Sequence, residues 1–214
     1  EGTRQHGQSD NARMILGILK SKLGEYEESD ELQNQCLEYR REEYAKVNDG
    51  DTGEITKALR NLGQNAMAWA KDLDQPEKNK KLEDAVGYFS ESIELLEAQN
   101  EAFFESPDQK ERFISFNTRN RQRCELDIKI GDIYALYEDK EERRKQFVEL
   151  LPLFPNEQIS IRLKIVEYTS QWESVCDQLD EIDYTECTAE QLFWIASVMF
   201  KRNKFIEAKL LITQ

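Results

Sequence analysis

The stretch Asp10–Arg41, DNARMILGILKSKLGEYEESDELQNQCLEYRR, decides how the rest of the chain is read. Ile15, Leu16, Ile18, Leu19 and Leu23 recur at spacings of three and four, which predicts a helix over 12–23 with an apolar stripe. Tyr26, Ser29, Leu32, Cys36, Leu37 and Tyr39 predict a second helix over about 27–43. Gly24 stands between them, where a helix ends most easily in the left-handed conformation. Asp10 is a good N-cap type ahead of the first helix. Gly17 and Ser29 are small enough for the two backbones to approach closely. Together these features describe a helical hairpin. One hairpin cannot bury its own apolar face, so it needs neighbours of the same kind.

The neighbours are present. Leu62-Gly63, with Ala85, Phe89 and Ile93 behind, repeats the order across a polar turn at 74–81. Ile130-Gly131, Tyr134, Phe147 and Pro155 repeat it again, and Leu192, Ala196, Phe205 and Ala208 form a cut-off copy. A leucine–glycine pair, an aromatic, a small residue, a second aromatic and a late proline resemble the tetratricopeptide repeat (TPR), whose period is about 34 residues. Asn48-Asp49, Gly53-Glu54, Lys57-Ala58-Leu59 and Asn61-Leu62-Gly63 look like its longer variant, the one used by kinesin light chains and cell-polarity adaptors. The resemblance implies an all-α, right-handed α-α superhelix of about five irregular hairpins. They would fall near 10–45, 55–99, 124–156, 158–184 and 188–214. Residues 1–9 would lie outside the fold as a disordered lead, and 100–123 would be an insertion.

Composition sets bounds on function. The chain has 214 residues, 39% hydrophobic and 34% charged, with only 9 Gly and 4 Pro, which argues against a turn-rich sheet protein. Its net charge of -14 repels phosphates and anionic membrane surfaces and favours a basic or mixed-charge partner. No apolar run reaches the roughly 18 residues that a membrane span needs. Cys36, Cys124, Cys176 and Cys187 form no C-x-x-C pair, and each sits in or beside an apolar helical pattern. Buried free thiols and an intracellular setting, cytoplasm or nucleus, are therefore expected. The segment 109–124 interleaves Lys110, Arg112, Arg119, Arg121 and Arg123 with Phe113 and Phe116. Such a mixture can bind single strands, but the acids of the first two hairpins are nearer partners for it.

Catalytic chemistry is missing. His6 is the one histidine, which removes Ser-His and Cys-His catalysis and most zinc sites. No glycine-rich phosphate loop occurs, and the turn 48–53 lacks the alternating oxygen ligands of a calcium loop. The expectation is a protein with no enzymatic activity and no cofactor or metal.

In TPR arrays the first helices of successive hairpins line a concave groove that holds a peptide. The resemblance places Lys57, Arg60, Asn61, Gln64 and Asn65 there in the second hairpin, Asp132 in the third and Arg162 in the fourth. It implies that Asn61, directly before the Leu-Gly pair, grips peptide backbone. A side-chain amide suits that role because it both donates and accepts. Met14 and Ile18 occupy the positions that hold carboxylates in chaperone-tail receptors, so that activity is not expected. The alternative is a structural unit whose groove is filled by its own chain or a second copy. The order of a normal hairpin, a stretched one, an insertion and an Ile-Gly hairpin is also similar to the N-terminal region of tonsoku-like proteins. That likeness implies a nuclear, histone-engaging scaffold as the parent.

Overall fold

A computed structural model of the chain describes residues 2–46, 52–169, 171–202 and 204. Among them are nine α-helices and no strand, packed largely in sequential pairs: α1 (Gly2–Lys22), α2 (Tyr26–Lys46), α3 (Gly53–Ala70), α4 (Glu77–Ala98), α5 (Pro107–Leu136), α6 (Lys140–Leu150), α7 (Gln158–Tyr168), α8 (Trp172–Asp180) and α9 (Ala189–Lys201). They divide into two compact units, 1–131 and 132–214.

The α1–α2 turn follows from the glycine. Gly24 has φ +80, its N–H bonds the Ser21 carbonyl at 3.1 Å, and the Glu25 N–H reaches back to Lys20 at 3.0 Å. That pair of bonds satisfies carbonyls the helix end would leave open. At Gly17 a Cβ would stand 2.8 Å from Gln33 Cγ, so α1 lies close on α2 and a larger residue there would have to displace the Gln33 side chain.

Helix α1 differs from the sequence reading in three ways. It begins at Gly2, so it takes in the segment expected as a disordered lead. Once a helix is nucleated, each added residue costs little. Asp10 is therefore inside the helix and not a cap. It is buried, and Arg40 Nε of α2 donates to its carboxylate at 2.8 Å. Finally, the helix is turned so that Asp10, Met14 and Gly17 face inward while Ile15, Leu16, Leu19 and Leu23 are 46–72% exposed. The inward face of α1 therefore carries the ion pair and the close approach at Gly17 in place of most of the aliphatic stripe. Met14, placed by the resemblance in the groove, lies instead with its sulfur 3.4 Å from Arg40 Nη2.

Arg40 also donates to the Glu54 carbonyl at 2.9 Å and pairs with the Glu54 carboxylate at 3.1 Å. One buried guanidinium thus joins α1, α2 and α3. Two apolar clusters complete this unit. Leu37, Ile55, Ala58, Leu59 and Leu62 form the first, and Ala66, Ala70, Leu82, Ala85, Phe89 and Cys124 the second. Gly63 lies under the Phe89 ring, which a Cβ would meet at 2.7 Å.

The α3–α4 turn is shorter than the sequence suggested. Helix α4 starts at Glu77, one residue after cis Pro76, because EKNKK carries good helix formers behind a proline. In segment 100–123 a helix starting near Gln109 and continuing into the third hairpin is expected from the sequence. After a 3₁₀ turn at Glu101–Phe103, α5 begins at Pro107 and runs through Cys124 without a break.

In the second unit, Asp139 caps α6 by accepting the Glu142 N–H at 2.9 Å. Phe147 is wholly buried between Tyr134 and Tyr168, with ring centroids at 5.9 and 5.8 Å. Arg143 lies over Tyr134 and donates to its carbonyl at 3.2 Å. Val166, Val175, Leu179, Ile182, Ile195, Ala196 and Met199 form an apolar cluster in this unit. Thr188 and Gln191 make a capping box at the start of α9. The second helix expected in the fifth hairpin, with Phe205 and Ala208, lies outside the described residues.

Candidate functional site

Helix α3 sorts the five candidate residues of the second hairpin by their angle around its axis. Lys57, Arg60, Asn61 and Gln64, spaced by three or four, keep to one side, whereas Asn65 turns inward. Asn65 is 1% exposed, and its amide donates to the Tyr26 carbonyl at 3.1 Å. It is a strut between α3 and the start of α2, not a groove residue. The amide is needed there because the first-turn packing of α2 brings a backbone carbonyl against α3. Gln64 is exposed, and Asn61 is half-buried with its Nδ2 buried and without a hydrogen-bond partner.

Lys57 and Arg60 line a cavity of about 300 Å³ within the first unit. Its walls come from the first half of α3, the last turns of α4, the 3₁₀ turn and the first half of α5. Several local devices fix those walls. Asn100 accepts the Ala102 N–H at 2.9 Å, which sets the 3₁₀ turn and with it Phe103 and Phe104. Lys110 Nζ donates to the carbonyls of Glu97 and Gln99 at 3.1 and 2.8 Å, closing the end of α4. Thr52 Oγ1 donates to Gln99 Oε1 at 3.0 Å. Asn117 Nδ2 donates to Ser92 Oγ at 2.9 Å, and Ser92 donates to the Thr56 carbonyl at 3.4 Å. Because the hydroxyl proton of Ser92 is directed at Thr56, Ser92 can only accept from Asn117. This leaves Asn117 Oδ1 as a buried acceptor with no partner.

The charges in the cavity are unevenly satisfied. Glu54 is held by Arg40 at 3.1 Å and stands 3.8 Å from Lys57. Arg60 lies over the rings of Phe113 and Phe116, 5.8 and 5.9 Å from their centroids, and no ion pair is formed by it among the described residues. Burial holds its guanidinium below the usual arginine range. Glu105, exposed, is the second acid on the lining.

The remaining candidates belong to the second unit. Asp132 is half-buried on α5. Arg162 of α7 donates to Gln178 Oε1 at 3.0 Å and lies 3.6 Å from Glu181, so it braces α7 against α8. Two of the basic residues of α5 have partners other than the acids of the first two hairpins. Lys110 goes to α4 carbonyls and Arg121 to Glu125 of its own helix, at 3.6 Å. Cys36 and Cys124 are buried free thiols, whereas Cys176 and Cys187 are only half-buried. Among the described residues no helix is long and apolar enough to cross a membrane, and no three metal-binding side chains gather.

Asn117 and Ser92 are the site residues that sequence reasoning missed, whereas Phe113 was noted only within the basic, aromatic segment. One signal could have found Asn117: it lies seven residues before buried Cys124, on the same face of one helix. No family model matches the sequence, and no curated protein matches it.

Proposed function

We propose that this chain is a non-enzymatic protein-interaction scaffold, a TPR-like array of helical hairpins that holds an extended peptide along α3. The observation that carries the reading is Asn61. A buried amide donor with no acceptor costs about 1–3 kcal/mol, and a peptide carbonyl is the natural group to satisfy it. Gln64 and Lys57 stand one turn to either side on the same face. The exposed aliphatic row Ile15, Leu16, Leu19 and Leu23 on α1 adds apolar surface of the kind that marks protein contacts. With a net charge of -14, the flanks of such a peptide would be basic or mixed in charge.

The test is a binding measurement with a peptide selected on the full chain from a random displayed library. Asn61→Ala should weaken that peptide by about 1–3 kcal/mol with no loss of melting temperature. Equal binding by wild type and variant in calorimetry removes Asn61 from the site.

A second reading has its own support. Phe113 and Phe116 of α5 lie against Arg60, so part of the α3 face is covered by the same chain. In that reading the chain is an assembly module of a larger scaffold, and no free peptide is enriched from the library.

A further inference from the structure

We infer that the cavity between α3, α4 and α5 is a receptor for one acidic side chain, an aspartate or glutamate of the bound peptide, with Arg60 as its counter-ion. This deepens the scaffold reading and rests on it, and it assigns an acidic anchor to a surface whose net charge points to basic partners.

The argument begins with Arg60. A guanidinium is planar, permanently charged and carries five donors. Here two phenyl rings take one part of its surface, while its hydrogen-bonding capacity toward anions is unspent among the described residues. The fully buried arginine of this unit, Arg40, has two acids, Asp10 and Glu54. A half-buried arginine that opens on a cavity of about 300 Å³ is therefore unlike Arg40. Contact with Phe113 and Phe116, 5.8 and 5.9 Å from the guanidinium carbon, restricts the side chain before a carboxylate arrives, and such restriction lowers the cost of two-point recognition. Lys57, one turn earlier, adds a second cation, because Glu54 is committed chiefly to Arg40.

The other walls specify what carries the carboxylate. Phe103, Phe104 and Leu96 offer apolar surface to a neighbouring side chain. Asn117, 2% exposed, brings an acceptor with no partner, which complements a peptide N–H and not a second anion. Two acids, Glu54 and Glu105, also line the cavity and offset the charges of Lys57 and Arg60. A carboxylate then leaves one net negative charge and a phosphate dianion leaves two, so the monoanion is the better guest beside Arg60. The size of the space, at the lower end for ligand pockets, suits one side chain with its local backbone.

The test selects a random displayed peptide library on the full chain and, in parallel, on Arg60→Gln. The expected consensus on the wild-type chain contains Asp or Glu beside an apolar residue. A synthetic peptide of that consensus should bind wild type at least about tenfold more tightly than it binds Arg60→Gln, with Arg60→Lys between the two. Replacing the acidic residue of the peptide by its amide should cost the same factor. That arm leaves the protein untouched, so it holds even if Arg60→Gln unfolds. A consensus without an acidic residue, or equal binding of the acid and amide peptides, overturns the anchor and leaves the scaffold reading standing. No enrichment over an unrelated protein overturns both.

Discussion

Replacing Arg40 by methionine should cost the first unit more stability than any other single polar change. The side chain is 3% exposed and contacts the two helices that flank its own, α1 through Asp10 and Met14 and α3 through Glu54. Methionine keeps most of the stem but removes the charge. Asp10 is then a buried carboxylate with neither oxygen partnered, since its Oδ1 has no hydrogen-bond partner to begin with. Breaking a buried pair in this way costs about 3–5 kcal/mol. The double variant Asp10→Leu/Arg40→Met removes the orphaned charge as well and should recover most of that loss, because an apolar pair of similar volume is often neutral. Residue-resolved hydrogen exchange is the assay of choice, since it reads each unit by itself. Amides of α1, α2 and α3 should lose protection in Arg40→Met and regain it in the double variant, while α7, α8 and α9 stay unchanged. A single variant that loses less than about 1 kcal/mol, or a double variant no better than the single, would refute the claim that this pair holds the three helices together.

Three further outcomes are expected. Gly63→Ala should destabilise by about 1–3 kcal/mol in urea unfolding, because the new methyl meets the fully buried Phe89 ring at 2.7 Å; a gain in stability would mean that the ring yields and the helix preference of alanine prevails. Burial pushes the thiols of Cys36 and Cys124 up to about 12 from an ordinary 9.0, so both should resist a thiol reagent at neutral pH while half-buried Cys176 and Cys187 react first. The same shift gives a pH dependence: the thiols stay neutral in the fold but ionise in the unfolded chain near 9, so their stabilising contribution is complete below that pH and is lost as pH rises toward 12.

The hairpins were legible in the sequence where local chemistry decided them. Gly24 ended α1, Gly17 met α2, and Leu62-Gly63 met Phe89, all as the residue types and spacings required. Periodicity failed where a distant partner intervened. The stripe of Ile15, Leu16, Leu19 and Leu23 has the right spacing for a core face, yet Arg40, thirty positions beyond Asp10, rotates α1 away from it. No window of one helix contains that information. The long α5 was legible as a helix starting near Gln109 and running into the third hairpin, but its packing was not, since nothing local places Lys110, Phe113 and Asn117 against α3 and the end of α4. Of the site, Lys57 and Arg60 were visible as a pair one turn apart. Their surroundings were not, because the cavity is assembled from segments some sixty positions apart along the chain.

The outward row of aliphatics on α1 sits on a molecule carrying -14, and the two properties respond to ionic strength in opposite senses. Counter-ions weaken the grip of any charged guest, yet they also mask the mutual repulsion that holds copies of an acidic chain apart. Encounters through Ile15, Leu16, Leu19 and Leu23 therefore grow with added salt while those through Arg60 fade. One titration of sodium chloride, followed by sedimentation and by peptide affinity, tells the greasy contact from the ionic one.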